Sequence, residues 1–395
     1  MILPYFVPPC LAFIAACCES GMSRSIKLHM YRLLTVLGIV IYCCVYLNGS
    51  DWQNYETFFN RIEIHNIVSL SNEYGFEFAY SILVYCLKAV GFNFMLSLII
   101  MKVFSFVIIS HFFYSVSNLK YSMGYTKNIF FMLFVFYTFT CIYLYVETII
   151  RFAIALAFVV KSYKYIFIRR FLPFLCLVLS AACFHKSALI VLPLYWIGKV
   201  SLSNKTLLIS YICVILFLNA KTLAFLADLL FMRLSSIYLF LQIIAYTQKA
   251  AFSDSSNPFS IGNLVFLCFF ILVLFKRKKI ENSSIYGQRL FAIVIVYFFI
   301  YFITIYMGAV SRVRLFYFPI FIVVLSIALS KGYFMRSLVY ICCVLYFSSS
   351  MYITIVSRPV FVYYTNYLSA LIEGKGDLTT YEKIWINRSW GEDKK

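Results

Sequence analysis

Leu264–Phe275 and Leu290–Ile305 are apolar on every helical face. A helix with no polar side for water lies either in the core of a large protein or in a lipid bilayer. Runs of this kind recur throughout the chain and confine the charges to the segments between them. Charged residues make up only 12% of the 395, against about 25% in a soluble domain. The mean hydropathy is +0.90. Inside hydrocarbon every backbone polar group must be bonded within the protein, so spanning segments are helices or the strands of closed barrels. Barrel strands alternate apolar and polar positions over about ten residues, and these runs do not. The expected fold is therefore all-α, a polytopic membrane helix bundle. Domain counting by length does not apply, because a bundle grows by adding spans. The expected organisation is one bundle over residues 1–357, with outer loops at 50–91 and 221–260, followed by a polar tail at 358–395.

The net charge of +19 would suggest nucleic acid in a soluble protein. In a membrane bundle it follows from Lys and Arg collecting in cytoplasmic loops, so no nucleic-acid partner is expected. The 13 cysteines lie in or beside apolar runs and show neither a disulfide framework nor metal-ligand spacing, which marks them as small packing residues. Neither a metal nor a cofactor is expected. The chain has no P-loop, glycine-rich dinucleotide turn, HExxH, GxSxG or Asp-x-Asp pattern, which weighs against nucleotide-driven chemistry and sugar-nucleotide donors.

Basic clusters set the topology. Arg24, Lys27 and Arg32 place a loop at Ser23–Arg32 in the cytoplasm, so the span after it ends outside and delivers Asp51 and Tyr55 to the outer face. Phe76–Val90, short and carrying Glu77 and Lys88, reads as an interfacial or re-entrant helix. Ile129–Val146 rises and stops at Glu147, and the next span descends with Arg151 near its outer end. Phe171–Ile197 decides the rest. As one long span it would put Lys276-Arg277-Lys278-Lys279 outside; broken at His185-Lys186-Ser187 it keeps that cluster inside as a topology anchor. The result is about twelve spans.

With that break, polar groups gather on the outer side: Asp51, Tyr55, Arg61, Glu73, Glu147, Arg151, His185, Lys186, Arg312 and Arg314. Ionisable groups at membrane depth are costly and mark function. Arg151 follows Glu147 at i, i+4, which fits either a local ion pair or a guanidinium aimed at phosphate oxygens and oriented by Glu147. His185 could be a bonded core histidine, or could donate to a phosphate or accept a proton. Arg312 and Arg314, two residues apart, point about 200° from each other on a helix, so one of them faces a cavity, with Arg312 favoured. Tyr55 could stack on a sugar ring.

Four motifs carry a resemblance. Asp51-Trp52-Gln53-Asn54-Tyr55, Arg151-Phe152-Ala153-Ile154-Ala155, Phe184-His185-Lys186-Ser187-Ala188-Leu189-Ile190 and Arg314-Leu315-Phe316-Tyr317-Phe318 resemble the EpsG-like, Wzy-type polysaccharide polymerases. The firmest part is Glu147–Ile190. Phe152 stands where the family often has Gln, and both Glu73 and Glu77 could be the acid that follows Asp51. The resemblance implies a GT-C-like glycosyltransferase of the bacterial inner membrane with a periplasmic active face. It would join undecaprenyl-diphosphate-linked oligosaccharide units into O-antigen, capsule or exopolysaccharide, alongside a flippase and a chain-length regulator. Membrane lipids would surround it. In that chemistry Arg151, Lys186 and Arg312 or Arg314 would hold the diphosphate, His185, Asp51 or Glu147 would serve the acceptor hydroxyl, and Tyr55 and Glu73 would meet sugar. The competing reading is a transporter or flippase of lipid-linked oligosaccharide. Such folds usually carry internal repeats, and none is evident. A third reading, an acetyltransferase, would need a histidine and an acid on the cytoplasmic side, which His29 and His111 do not provide.

Overall fold

The computed structural model describes residues 3–45, 52–117, 128–198, 200–217, 260–305, 308–329, 333–356 and 366–372. Asp51, residues 118–127, nearly all of the expected outer segment Lys221–Ser260 and the tail from residue 373 lie outside the described residues. Among the described residues the elements are all helical; one isolated antiparallel bridge joins Val45 and Asn366. Among the described residues, five helical stretches are long and apolar enough to cross a membrane: Leu3–Gly21, Arg24–Cys43, Phe94–Ser117, Ile129–Val146 and Gly287–Thr304. Other apolar helices are 10–17 residues long.

The chain forms two compact units, Met1–Leu119 with Lys127–Leu192 and Ser337–Lys395, and Lys120–Thr126 with Pro193–Arg336. The first unit opens with α1 (Leu3–Cys18) and α2 (Arg24–Gly38), which runs on as a wider π turn over Ile39–Cys43. The cytoplasmic loop expected at Ser23–Arg32 is thus helix from Arg24 onward. The Ser23 hydroxyl caps it by accepting the Ile26 amide at 3.3 Å, and Arg and Lys are good helix formers. Three shorter helices follow: α3 (Trp52–Arg61), α4 (Ile67–Tyr74) and α5 (Phe78–Ala89). The long α6 (Phe94–Ser117) comes next, then α7 (Ile129–Val135) with its π continuation Phe136–Val146. The unit is completed by α8 (Ile150–Phe167) and α9 (Phe171–Phe184) and, later in the chain, by most of Tyr333–Val356 and by Tyr367–Ile372.

Its centre is the α7 stretch, buried at nearly every position from Ile129 to Val146, together with α8. A sequence apolar all round is what such a position requires. Hydroxyls inside the helices bond back to their own turn: Ser105 to the Met101 carbonyl at 3.2 Å, Ser110 to Phe106 at 2.8 Å and Thr138 to Phe134 at 2.9 Å. Tyrosines tie helices together, Tyr42 donating to the Tyr5 carbonyl at 2.8 Å and Tyr137 to that of Leu34 at 2.9 Å.

One acid holds the central helix at its start. Glu19, 7% exposed, accepts the Ile129 and Phe130 amides, each at 3.3 Å, and lies 3.9 Å from the Lys27 ammonium. The amides of a first helical turn have no partner in the helix, and the helix dipole favours an anion there. Glu19→Ala should cost about 1–2 kcal/mol, seen as a lower Tm in detergent, with Glu19→Gln falling between Ala and wild type. An alanine variant that melts with wild type would show that this cap does not hold the helix.

In the second unit α10 (Asn204–Phe217), α11 (Ile261–Phe275), α12 (Arg277–Glu281), α13 (Gly287–Thr304) and α14 (Phe318–Ala328) pack around aromatic side chains. Phe266 stacks on Tyr301 at 3.9 Å and Phe321 on Tyr297 at 5.0 Å. Arg277, expected only to anchor topology, does more. It donates to the carbonyls of Val200 and Leu202, to Asn204 Oδ1 at 3.2 Å and to Glu281 at 2.9 Å, and it lies on the Phe291 ring. Its five donors suit one cation tying a loop to two helices.

Candidate functional site

The site is built where helix ends of the first unit meet. Three residues, Ile168–Arg170, separate α8 from α9, and Arg169 takes the left-handed conformation (φ 56°) that the tight reversal needs. The two helices therefore run antiparallel. Arg151, in the first turn of α8, and His185, just past the end of α9, come to the same end of the pair. The helix does stop where the charge distribution requires: His185 has extended backbone (φ −157°, ψ 109°) and a 3₁₀ helix, Lys186–Tyr195, follows.

A platform from the preceding segment meets them. Trp52, Tyr55, Phe58 and Phe59 form the buried stripe of α3, at the spacing of an amphipathic helix. Lys88 donates to the carbonyls of Asn60 and Ile62 at 2.8 and 2.9 Å and closes the end of α3. Gly75 ends α4 in the left-handed region (φ 63°), the conformation glycine adopts without a Cβ penalty. The chain then turns through Phe76 to Glu77, the residue before α5.

Glu77 is the centre of the cluster. Its Oε2 accepts from Arg151 Nη1 at 2.5 Å, and its Oε1 accepts the Lys186 amide at 3.2 Å and lies 3.9 Å from His185 Nδ1. Its side chain is 9% exposed and that of Arg151 22%. Arg151 Nη1 also reaches the Gly75 carbonyl at 3.3 Å, and Nε the Tyr55 hydroxyl at 3.5 Å. The guanidinium carbon sits 4.4 Å from the Phe76 ring centroid, a cation–π contact. His185 meets the Phe152 ring edge-on at 5.3 Å, and its Nδ1 is 3.1 Å from the Ser187 hydroxyl. The structure thus gathers a guanidinium, an imidazole and a helix-opening amide around one carboxylate, at the rim of a buried interior. Such donors bind phosphate oxygens.

Of the residues singled out from the sequence, Arg151, His185, Lys186 and Tyr55 come together here. Tyr55 is buried, with Phe76 at 5.3 Å and Tyr80 at 5.7 Å against its ring, so it supports Arg151 rather than offering a ring face to a sugar. Glu147 is buried at the end of the π stretch, and left-handed Thr148 (φ 62°) separates it from α8. The i, i+4 geometry expected to pair Glu147 with Arg151 needs a continuous helix; the carboxylate that orients Arg151 is Glu77. Glu73 forms a two-pronged pair with Arg61 at 2.6 and 3.0 Å on the exposed surface. Arg312 and Arg314 belong to the second unit. Arg312 is exposed, and Arg314 lies over the Tyr301 ring at 4.7 Å.

Of the two acids that could follow Asp51 in the motif, Glu73 and Glu77, the structure sets Glu77 beside Arg151, although only Glu73 was expected to meet substrate. The signal was present, since an acid at the head of an apolar helix is the same cue that selected Arg151.

Comparison with known proteins adds one match. The model of the EpsG family covers residues 28–369, a range that includes all four resembling motifs. Searches of the curated proteins and of the solved structures found no match. A family match over most of the length, on a chain with several helices fit to cross a membrane, supports a membrane polysaccharide polymerase: the chain belongs to the EpsG family.

Proposed function

We propose that this chain is a Wzy-type glycosyltransferase of the bacterial inner membrane, a bundle of about twelve spans that joins undecaprenyl-diphosphate-linked oligosaccharide units at the periplasmic face. The growing chain moves from its lipid diphosphate to the sugar of an incoming unit, and undecaprenyl diphosphate leaves. The observation that carries this reading is the Arg151–His185–Lys186 cluster, assembled from helix ends of the first unit. Charge on the leaving diphosphate grows in the transition state, so fixed cations beside it lower the barrier. Arg151 and the Lys186 amide hold phosphate oxygens, and His185 donates to a phosphate or takes the acceptor's proton. The surrounding apolar helices receive the polyprenyl tail.

Reconstitution of the purified chain with lipid-linked repeat units tests the proposal. Polymer growth with no other protein present is the expected result. Movement of the lipid-linked unit across the bilayer without growth would overturn it in favour of a flippase.

A further inference from the structure

Glu77 is a puzzling neighbour for an anion. Its carboxylate neutralises the one guanidinium of the cluster, yet the same donors suit a phosphate group. Three features resolve this. First, the pair is left open. Arg61 binds Glu73 through both Nη atoms, whereas Arg151 binds Glu77 through Nη1 alone; among the described residues, Arg151 Nη2 makes no hydrogen bond. Second, the carboxylate spans two donors as two phosphate oxygens would, a guanidinium N–H and the amide that opens a 3₁₀ helix. Third, Glu77 has another seat within reach. It is the N-cap residue of the twelve-residue α5, with extended backbone (ψ 143°), but its side chain does not cap that helix. An N-cap carboxylate ordinarily accepts the second or third amide of its own helix, here that of Ala79 or Tyr80.

We propose that the Glu77 carboxylate occupies a phosphate seat on Arg151 and the Lys186 amide, and that a lipid diphosphate displaces it. This rests on the function proposed above. In the empty protein Glu77 keeps Arg151 paired, as a half-buried guanidinium needs. When substrate arrives, the diphosphate takes the two donors and Glu77 moves to cap α5. When the product diphosphate leaves, Glu77 returns and helps to expel it. Glu77 is thus a positioning residue that trades affinity for turnover. Without its charge, substrate and product are held more tightly together, and uniform tightening lowers KM without raising kcat.

The test is equilibrium binding of undecaprenyl diphosphate in detergent micelles to wild type, Glu77→Gln and Arg151→Ala. Removing the competing charge should tighten binding to Glu77→Gln by about tenfold or more, with KM and kcat both falling in polymer synthesis. A merely structural Glu77 would give unchanged or weaker binding in a folded Glu77→Gln protein, and that result overturns the inference. Carbodiimide labelling of Glu77 in wild type, read by mass spectrometry, decides the matter even if the glutamine variant does not fold. Added undecaprenyl diphosphate should increase labelling; unchanged or reduced labelling refutes displacement. Binding that depends on Arg151 but does not tighten in Glu77→Gln refutes this inference alone. No diphosphate binding to any of the three proteins refutes the proposed function along with it.

Discussion

Arg151→Ala and His185→Ala should each abolish long polymer in cells and leave only single repeat units. Losing one preorganised donor to developing charge costs about 10²–10³ in rate, enough to remove a polymer ladder built by repeated addition. The arginine variant also leaves Glu77, 9% exposed, without its counter-ion. Breaking one side of a partly buried pair destabilises, so protein level has to be measured beside polymer length. Arg151→Lys separates the two effects. It keeps the charge, but one ammonium cannot reproduce the planar set of bonds to Glu77, the Gly75 carbonyl and the Tyr55 hydroxyl. It should accumulate normally and make short chains. Full-length ladders from both alanine variants would place the active site elsewhere.

The second large effect is on folding. Gly287 opens α13 directly against the end of α12. A Cβ there would lie 2.3 Å from the Ile280 carbonyl oxygen and 2.3 Å from that of Glu281. Both are backbone atoms, and α12 is held in place by the Arg277–Glu281 pair and by the other Arg277 bonds, so neither carbonyl can swing aside as a side chain would. Gly287→Ala should cost about 3 kcal/mol, seen as loss of monodisperse protein in detergent and a lower Tm. Exposed Gln288 provides the control, since Gln288→Ala should stay within about 0.5 kcal/mol of wild type. A Gly287→Ala protein as stable as wild type would mean that α12 does not press on α13 in this way.

Much of the scaffold was legible in the sequence, because in a bilayer apolar length and basic clusters decide where helices begin and end. The stop of α7's π stretch at Glu147, the start of α6 and the interruption at His185 all follow from those two quantities. The interruption came from a charge argument alone: one unbroken helix would have carried Lys276–Lys279 to the wrong side. Pairing was far less legible. Glu77 and Arg151 are 74 residues apart, and no local spacing joins them. The nearer acid, Glu147, looked like the partner because helical spacing assumes continuous backbone, and the turn at Thr148 is set by packing of two buried segments that the local residues do not reveal. Tyr55 was read as an outward aromatic, although its spacing with Trp52, Phe58 and Phe59 already marked a buried stripe. Arg277 was read as a charge and turned out to be a hydrogen-bond hub.

Single-turnover release of undecaprenyl diphosphate, with purified protein and one lipid-linked repeat unit as donor and acceptor, tests the central claim most directly. Wild type should release one undecaprenyl diphosphate for each glycosidic bond formed. Folded Arg151→Ala should do so at least about 100-fold more slowly. Equal release rates from the two proteins, or bond formation without release of the lipid diphosphate, would contradict the assignment of Arg151 and its neighbours as the diphosphate site.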